Sequence, residues 1–201
     1  MNKGNLTRAE RIFNLIAPIY GLFHRGLEDN YRKAVAILQE HCPISRETRV
    51  LDVGTGTGAL AGAFSELTPH VTGIDLSEKM LSSAQRRYRA KARFLKMAAH
   101  ELDRFEDREF DVVAAAFMLH HYAADYRRQV LRQMKRVARQ KVMIIDFIPH
   151  QSRLMSFLEA LEGSHYREFM ADFASDLADV FPSYQVVEFS VSSGVYLCDP
   201  E

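Results

Sequence analysis

The sequence predicts a doubly wound α/β fold, built on a mostly parallel seven-stranded sheet with an antiparallel hairpin at its C-terminal end. Three observations support this prediction. From residue 49 onward, short apolar runs alternate with longer segments of helical periodicity, the pattern of βα units on a parallel sheet. The run at 112–117 lacks polar alternation, as expected for a strand covered on both faces. The last two runs, 185–191 and 195–198, are too close in sequence for a crossover helix, so they should pair antiparallel.

The individual elements follow from hydrophobic periodicity and from capping and breaking residues. Thr7 and Glu10 form a capping box at the start of a first helix, which Pro18 ends. A second helix is expected from about Asn30, and Pro43 closes it. Strands before the final two are predicted at 49–53, 71–75, 92–96, 110–116 and 140–146. The remaining helices are predicted at about 58–67, 77–90, 124–138, 152–161 and 165–180.

Length and composition indicate one domain, because 201 residues with 47% hydrophobic content can close a single core. We expect 1–45 to form a helical arm that acts as a lid, 46–148 a cofactor-binding core, and 149–201 a helical cap segment followed by the final hairpin. The 26 basic and 26 acidic side chains cancel, which argues against nucleic acid as a partner. No run reaches the roughly 18 apolar residues of a membrane helix, and the first residues lack the apolar core of a secretion signal. A cytoplasmic protein without a membrane span is therefore expected.

The segment after the first strand predicts a cradle for a cofactor. The apolar run 50–53 leads directly into Gly54, Thr55, Gly56 and, after one further residue, Gly58, and a helical segment follows. Glycines at a strand-to-helix turn allow positive φ and let backbone N–H groups approach a ligand without an intervening Cβ. A glycine loop alone is also compatible with a tight turn that merely packs.

The end of the second strand strengthens the cofactor prediction. Asp75 follows the apolar residues of that strand, about 20 residues after the glycine loop, where a carboxylate can accept hydrogen bonds from ribose hydroxyls. Ser77 is placed to cap the next helix, and Leu76 and Met80 are available to flank a flat base.

These two segments, VLDVGTGTG and VTGIDLSEKML, resemble the first two motifs of class I S-adenosylmethionine-dependent methyltransferases. The resemblance implies a Rossmann-like methyltransferase fold, S-adenosylmethionine as cofactor and S-adenosylhomocysteine as product. It implies that Asp52 helps to hold the methionine amino group and that Asp75 holds the ribose. The segment 11–20, which includes Tyr20, is similar to the opening helix of the ubiquinone/menaquinone-biosynthesis type. A nicotinamide-binding loop would read G-x-G-x-x-G, so a dehydrogenase is disfavoured without being excluded.

Two departures from the family pattern concern the segment after the third strand and the approach to the fifth. Ala98 stands where the family usually offers an acidic residue to the adenine amino group. The adenine is then expected near Ala98, Ala99 and His100, with a backbone carbonyl, His100 or Glu101 as the alternative partner. The usual Pro-Gly-Gly is replaced by 138–141, which predicts a shortened turn on the far edge of the sheet.

The end of the fourth strand carries the candidate catalytic residues. In the family this end lies beside the methyl group, and here it runs through Phe117 to His120 and His121. An imidazole titrates near neutrality and could remove a proton from an acceptor hydroxyl or amine. The alternative is that both histidines pack, because alignment of an acceptor with the electrophilic sulfonium can suffice without a base.

The remaining residue types narrow the function further. The histidines and the two distant cysteines show no metal-ligand spacing, so no metal site is predicted. Basic clusters such as 86–91 fall at the C-terminal ends of helices, where positive charge interacts favourably with the helix dipole. They therefore do not indicate a nucleic-acid partner. The sequence thus predicts methyl transfer to a small-molecule acceptor and leaves a homodimer open. A cofactor-binding protein without transferase activity, a nucleotide-dependent oxidoreductase and an RNA methyltransferase remain as alternatives.

Overall fold

The computed structural model describes residues 24–148, 166–190 and 192–201, with the side chains of 24–27 left aside. The predicted first helix, Tyr20, the predicted helix at 152–161 and the Ser164 cap lie outside the described residues. The strands are β1 (Val50–Val53), β2 (Val71–Asp75), β3 (Arg93–Lys96), β4 (Phe110–Ala116), β5 (Ala138–Phe147), β6 (Ser183–Glu188) and β7 (Ser193–Asp199). The α-helices of the described part are α1 (His24–His41), α2 (Ala59–Phe64), α3 (Glu78–Tyr88), α4 (Ala124–Val137) and α5 (Tyr166–Val180). Two short 3-10 helices cover Ala99–Arg104 and Leu119–His121.

The seven strands form one sheet in the order β3-β2-β1-β4-β5-β7-β6. The first five strands pair in parallel, and β7 runs antiparallel to both β5 and β6. This arrangement confirms the predicted fold class and the final hairpin. The chain leaves β1 toward β2 on one side and later enters β4 on the other side of β1. The crevice at the carboxyl ends of β1 and β4 is therefore the topological switch point, where open α/β sheets bind ligands.

Helices cover both faces of the sheet. One buried cluster includes Leu131 and Phe173, from α4 and α5, and the other includes Leu38, Phe64 and Ala84, from α1, α2 and α3. Apolar strand residues such as Val113 and Met143 are fully buried between these layers, as predicted for strands covered on both faces. Within the described ranges, none of the helices has the length and apolar character needed to span a membrane.

Helix α1 begins earlier than its sequence predicts. The prediction placed its start near Asn30, after Gly26, whereas the helix runs from His24 and includes that glycine. A glycine inside a helix costs about 1 kcal/mol relative to alanine. Tertiary packing outweighs this cost, because Ala34, Val35 and Leu38 of α1 are buried against the second cluster.

The connection between α4 and β5 also differs from the prediction. Residues 138–141 form no turn, because Ala138 ends the helix and starts the strand. The pairing shifts register here: Ala138 lies opposite Phe110, and Lys141 lies opposite Val112. The extra residue in β5 makes a bulge. The carboxylate of Asp111 accepts hydrogen bonds from two side chains of the bulge, those of Arg139 at 3.2 Å and Gln140 at 3.4 Å.

Candidate active site

The loop after β1 contains three glycines with positive φ. Gly58 is needed for close packing, whereas Gly56 is not. At Gly58, with φ 84°, a Cβ would lie 2.9 Å from the Cβ of Ala84, so close packing of α2 against α3 requires glycine there. At Gly56, with φ 55°, a Cβ would meet no atom of the described residues within 4 Å. The packing of the protein therefore does not explain Gly56. Its backbone faces open space, which is the property expected of a cradle. Gly54 also has positive φ, at 70°.

Asp52 holds this loop together from inside β1. Its Oδ2 atom accepts hydrogen bonds from the Thr55 hydroxyl at 2.6 Å and from the Ala61 N–H at 3.1 Å. Asp52 is only 1% exposed, and this burial raises the pKa of its carboxyl group to about 7. The two donors oppose that rise, since hydrogen bonds to a carboxylate favour its charged form. Asp52 thus connects β1, the loop and the first turn of α2.

Asp75 connects the ends of β1 and β2. Its Oδ2 accepts a hydrogen bond from the Gly56 N–H at 2.8 Å, and its Oδ1 accepts one from the Ser77 N–H at 2.8 Å. Burial raises the pKa of Asp75, and the backbone donors oppose the rise. Ser77 in turn caps α3 by accepting a hydrogen bond from the Met80 N–H at 3.2 Å, which confirms the predicted helix start.

The segment after β3 forms the neighbouring wall. Ala98 and Ala99 are buried, as is Met80, whereas Leu76 is half-buried. Glu101 folds back over the segment, and its Oε2 accepts a hydrogen bond from the Ala98 N–H at 2.8 Å. A carboxylate is therefore present beside the position where the family's acidic residue is missing, although it comes from three residues further on.

His100 is exposed, and its imidazole points toward helix α4. The Nδ1 atom lies 3.1 Å from the hydroxyl of Tyr126, and the Tyr126 ring packs edge-on against Tyr122 with centroids 4.8 Å apart. Tyr126 and Tyr122, which the sequence prediction did not include, thus lie beside the segment 98–100.

The end of β4 brings the second candidate region to the glycine loop. Phe117 has φ 49°, an uncommon backbone conformation for a bulky residue, and its N–H donates to the carbonyl of Ile145 at 2.8 Å. Such conformations cluster at functional sites. Met118 follows it, and the Met118 sulfur would lie only 2.4 Å from a Cβ at Gly54. The loop and the segment 117–121 are therefore in direct contact.

His120 forms a buried pair with Asp146, a residue that sequence reasoning missed. Nδ1 of His120 lies 2.7 Å from Oδ1 of Asp146, and the side chains are 8% and 0% exposed. Asp146 also accepts hydrogen bonds from the N–H groups of Leu119, at 3.2 Å, and of Phe147, at 2.9 Å. The only feature of the sequence that points to Asp146 is its position as a carboxylate at the end of the apolar run 142–145. It predicted a strand end, but not which side chain the carboxylate would meet.

His121 is placed differently from His120. The two imidazole rings lie 4.0 Å apart, and burial, followed by the neighbouring His120, lowers the pKa of His121 to about 4. His121 is therefore neutral near pH 7. The structure brings the glycine loop, Asp75 and both histidines to the carboxyl edge of β1, β2 and β4. Within the described residues, His, Cys, Asp and Glu form no group of three or more that could hold a metal ion.

Comparisons with known proteins agree with this geometry. A family model described as "Methyltransferase domain" matches residues 50–141. Demethylmenaquinone methyltransferase of Thermotoga maritima is 35% identical over 154 residues, which cover 72% of this chain and 64% of that protein. The enzyme of the same name from Deinococcus radiodurans is 32% identical over 167 residues, covering 78% of this chain and 67% of that protein. A solved structure described as a DhpI-SAM-HEP complex superposes over all of both chains with a TM-score of 0.73 and 19% identity.

Proposed function

This chain belongs to the class I S-adenosylmethionine-dependent methyltransferases, and we propose that it transfers the methyl group of S-adenosylmethionine to a small-molecule acceptor. The match spans 64% and 67% of the length of the two demethylmenaquinone methyltransferases named above, so their activity is a proposal for this protein. The observation that carries the proposal is Gly56, because its positive φ and the open space in front of it have no explanation in protein packing.

The residues present fit S-adenosylmethionine. The open face of Gly56 leaves room for the cofactor, and Asp75 offers a carboxylate beside it for the ribose hydroxyls. Asp52 lies under the same loop, where the family resemblance places the methionine amino group. Half-buried Leu76 and buried Met80, together with Ala98, Ala99 and His100, supply walls for the adenine. When bound, S-adenosylmethionine supplies an electrophilic methyl group on a sulfonium.

The acceptor is expected at the end of β4, above His120, His121 and Phe117. Met118 places this segment against the cofactor loop, which is the arrangement that a direct transfer needs. The N-terminal arm 1–45 and the segment 150–180 are expected to close over the acceptor, and the structure describes 24–45 and 166–180 of these ranges. The closure, a homodimer and a cytoplasmic location stay predictions.

A small molecule is favoured over RNA as the acceptor, because the basic cluster lies away from the proposed site. Arg86 and Arg87 are in the last turn of α3, and Arg89 is its C-cap. This end of α3 is opposite the edge of the sheet that carries the glycine loop. The positive charge there is accounted for by the negative end of the helix dipole.

Two measurements test the proposal. Calorimetric titrations with S-adenosylmethionine and with nicotinamide dinucleotides should show binding of the former alone. Incubation of the protein with S-adenosylmethionine and a panel of small hydroxyl, amine and thiol compounds should release S-adenosylhomocysteine. Binding without release for any acceptor would favour a cofactor-binding protein that lacks transferase activity. Binding of the dinucleotide alone would contradict the proposal.

A further inference from the structure

We propose that His120 and Asp146 form a proton-accepting dyad, and that the methyl acceptor of this protein is therefore a hydroxyl group on an apolar, ring-containing molecule. This inference rests on the proposed methyl transfer and specifies its substrate class. It is carried by the hydrogen bonds around the two side chains and by the rings that surround them.

The hydrogen bonds around Asp146 decide which nitrogen of His120 carries a proton. Asp146 accepts two backbone N–H bonds in addition to the bond with His120, so the carboxylate is surrounded by donors. A carboxylate in this setting accepts hydrogen bonds and does not donate them. Nδ1 of His120 must therefore be the protonated nitrogen. In a neutral imidazole the other nitrogen, Nε2, then carries a free lone pair.

The contacts of the His120 ring that the structure describes leave the lone pair on Nε2 unused. Over the described ranges, the contacts of His120 are the hydrogen bond to Asp146 and ring contacts with His121, Phe147 and Phe169. None of these contacts uses Nε2 as a hydrogen-bond acceptor. His120 stands two residues after Met118, which touches the cofactor loop at Gly54. Among the described residues, Nε2 is thus available close to the place where methyl transfer is proposed.

The pair has the geometry of a general base with a positioning residue. Asp146 fixes the tautomer and orientation of the imidazole, and its negative charge stabilises the imidazolium that forms when Nε2 takes up a proton. His121 does not place a second cation beside the dyad, because burial keeps it neutral. Asp146 itself is buried and does not reach an acceptor, so its role is to position His120.

A base of this kind is needed for one class of acceptor above all. A thioether has no proton to lose, a thiol forms its thiolate in part near neutral pH, and the unprotonated fraction of an amine is nucleophilic without further help. A neutral hydroxyl is a poor nucleophile until its proton is removed, so it gains most from a base within hydrogen-bond distance. A buried, oriented imidazole beside the methyl site thus indicates a hydroxyl acceptor.

The surroundings of the dyad indicate what carries that hydroxyl. Phe147 packs against His120 with ring centroids 4.9 Å apart, and Phe117 and Tyr166 pack edge-on against Phe147 at 5.6 and 5.2 Å. Phe117 and Phe147 are only partly buried, so each keeps some exposed aromatic surface beside the dyad. Aromatic side chains of this kind contact flat, apolar groups with edge-to-face or offset geometry.

The proposed step balances as follows. The acceptor oxygen uses a lone pair to form a bond to the methyl carbon, and the bond between that carbon and sulfur breaks with its electron pair moving to sulfur. The proton of the hydroxyl moves to Nε2 of His120. The products are the methyl ether and S-adenosylhomocysteine, and the imidazolium then returns its proton to solvent. The chain itself supplies the base, its orientation and an apolar wall.

The decisive experiment reads the tautomer of His120 without any acceptor. The full chain is labelled with 15N-histidine, and long-range proton–nitrogen correlations are recorded near neutral pH, with and without S-adenosylhomocysteine. The signal that disappears in His120→Gln belongs to His120. We expect it to show a protonated Nδ1 and an unprotonated Nε2. A protonated Nε2 with a bare Nδ1, or protons on both nitrogens, would overturn the dyad.

A variant and its controls test the part played by Asp146. Asp146→Ala should replace the single tautomer by a mixture, whereas Asp199→Ala, at the end of neighbouring β7, should leave it unchanged. His41 provides an internal control, because its Nδ1 lies 3.0 Å from the carbonyl oxygen of Ile37, which can only accept. If Asp146→Ala does not fold, the spectrum of the unaltered protein still decides the tautomer.

The acceptor class is tested by size-matched phenols, tertiary amines and thioethers supplied with S-adenosylmethionine. We expect methylation of the phenolic oxygen, and about a hundredfold or greater fall in kcat for His120→Gln. Affinity for S-adenosylhomocysteine should stay within about twofold in that variant, since the base acts on the acceptor. Methylation of amines or thioethers alone, or equal phenol turnover by His120→Gln, would overturn the hydroxyl assignment. Failure to bind S-adenosylmethionine would instead contradict the proposed function and leave the tautomer result standing.

Discussion

The carboxylate of Asp75 accepts a hydrogen bond from the backbone N–H of Gly56 at 2.8 Å, joining the end of β2 to the middle of the loop that follows β1. The two residues are 19 positions apart in sequence. This contact places the carboxylate expected to bind ribose directly beside Gly56, whose backbone faces open space among the described residues.

Replacing Asp75 with alanine should weaken S-adenosylmethionine by about 1.5–3 kcal/mol, the usual scale of hydrogen bonds to a charged group. S-adenosylhomocysteine should weaken equally, because both molecules carry the ribose. Glu78→Ala is the matched control, since Glu78 is an exposed carboxylate three residues away that pairs with Lys96. Calorimetric titration of both ligands measures the effect, and weakening of only one ligand would show that Asp75 does not hold the ribose.

Alanine at Gly56 and alanine at Gly58 should have opposite effects. Gly56→Ala should largely abolish cofactor binding while costing only about 1 kcal/mol of stability, because its Cβ enters the open cradle and meets no atom of the described residues. Gly58→Ala should instead lower the free energy of unfolding more strongly, because its Cβ would meet Ala84 and Tyr88. Urea denaturation and cofactor titration of both variants give the comparison. Unchanged affinity in Gly56→Ala would show that the cradle lies elsewhere.

Asp52 should make stability fall as pH rises from about 4 to 7. Burial raises the pKa of Asp52 from 3.8 to about 7, so the folded protein holds the proton more tightly than the unfolded chain does. The stability linked to that proton is fully present below the unfolded pKa and is lost as pH rises through the folded pKa. Each unit of pKa difference corresponds to about 1.4 kcal/mol, so the loss should amount to a few kcal/mol.

Asp52→Asn should flatten that pH dependence. Both hydrogen bonds to the carboxylate go to Oδ2, and a single amide oxygen can accept them in the variant. Asp103→Asn, at an exposed position, serves as the control. Urea denaturation at several pH values between 4 and 7 provides the measurement. Parallel stability curves for Asp52→Asn and the unaltered protein would contradict the burial argument.

Removing the carboxylate of Asp176 should strongly destabilise the fold. Arg127 is 0% exposed, its Nε donates to Asp176 at 2.6 Å, and Arg128 donates to the other carboxylate oxygen at 2.8 Å. Asp176→Ala would leave the Arg127 guanidinium buried beside α5 without its partner, which costs about 3–5 kcal/mol. Asp172→Ala, on an exposed face of the same helix, should change stability by no more than about 0.5 kcal/mol. Equal effects of the two variants would show that the buried pair does not stabilise the packing of α4 against α5.

The fold could be predicted from the sequence because its signals are local. Strands such as β1, β2 and β4 lie in mostly apolar runs bounded by turn residues, and helices such as α3 and α4 carry a buried apolar face. The prediction failed where tertiary contacts outweigh local preference. Helix α1 includes Gly26 although glycine disfavours a helix, and Ala34, Val35 and Leu38 further along it are buried against the second cluster. Residues 138–141 are strand because Asp111 stabilises a bulge that the sequence does not mark.

By itself, the sequence determined the order of strands and helices, the glycine loop, Asp75 at the end of β2 and the two histidines after β4. These features depend on residues that are close together in the chain. Only the tertiary structure decided which glycine packs and which faces open space, since that depends on Ala84 of α3 lying against the loop. It also decided that Asp146 of β5 meets His120, 26 positions earlier. Parallel pairing of β4 with β5 brings the ends of the two strands together. The spacing of His120 and Asp146 along the sequence does not predict that their side chains meet.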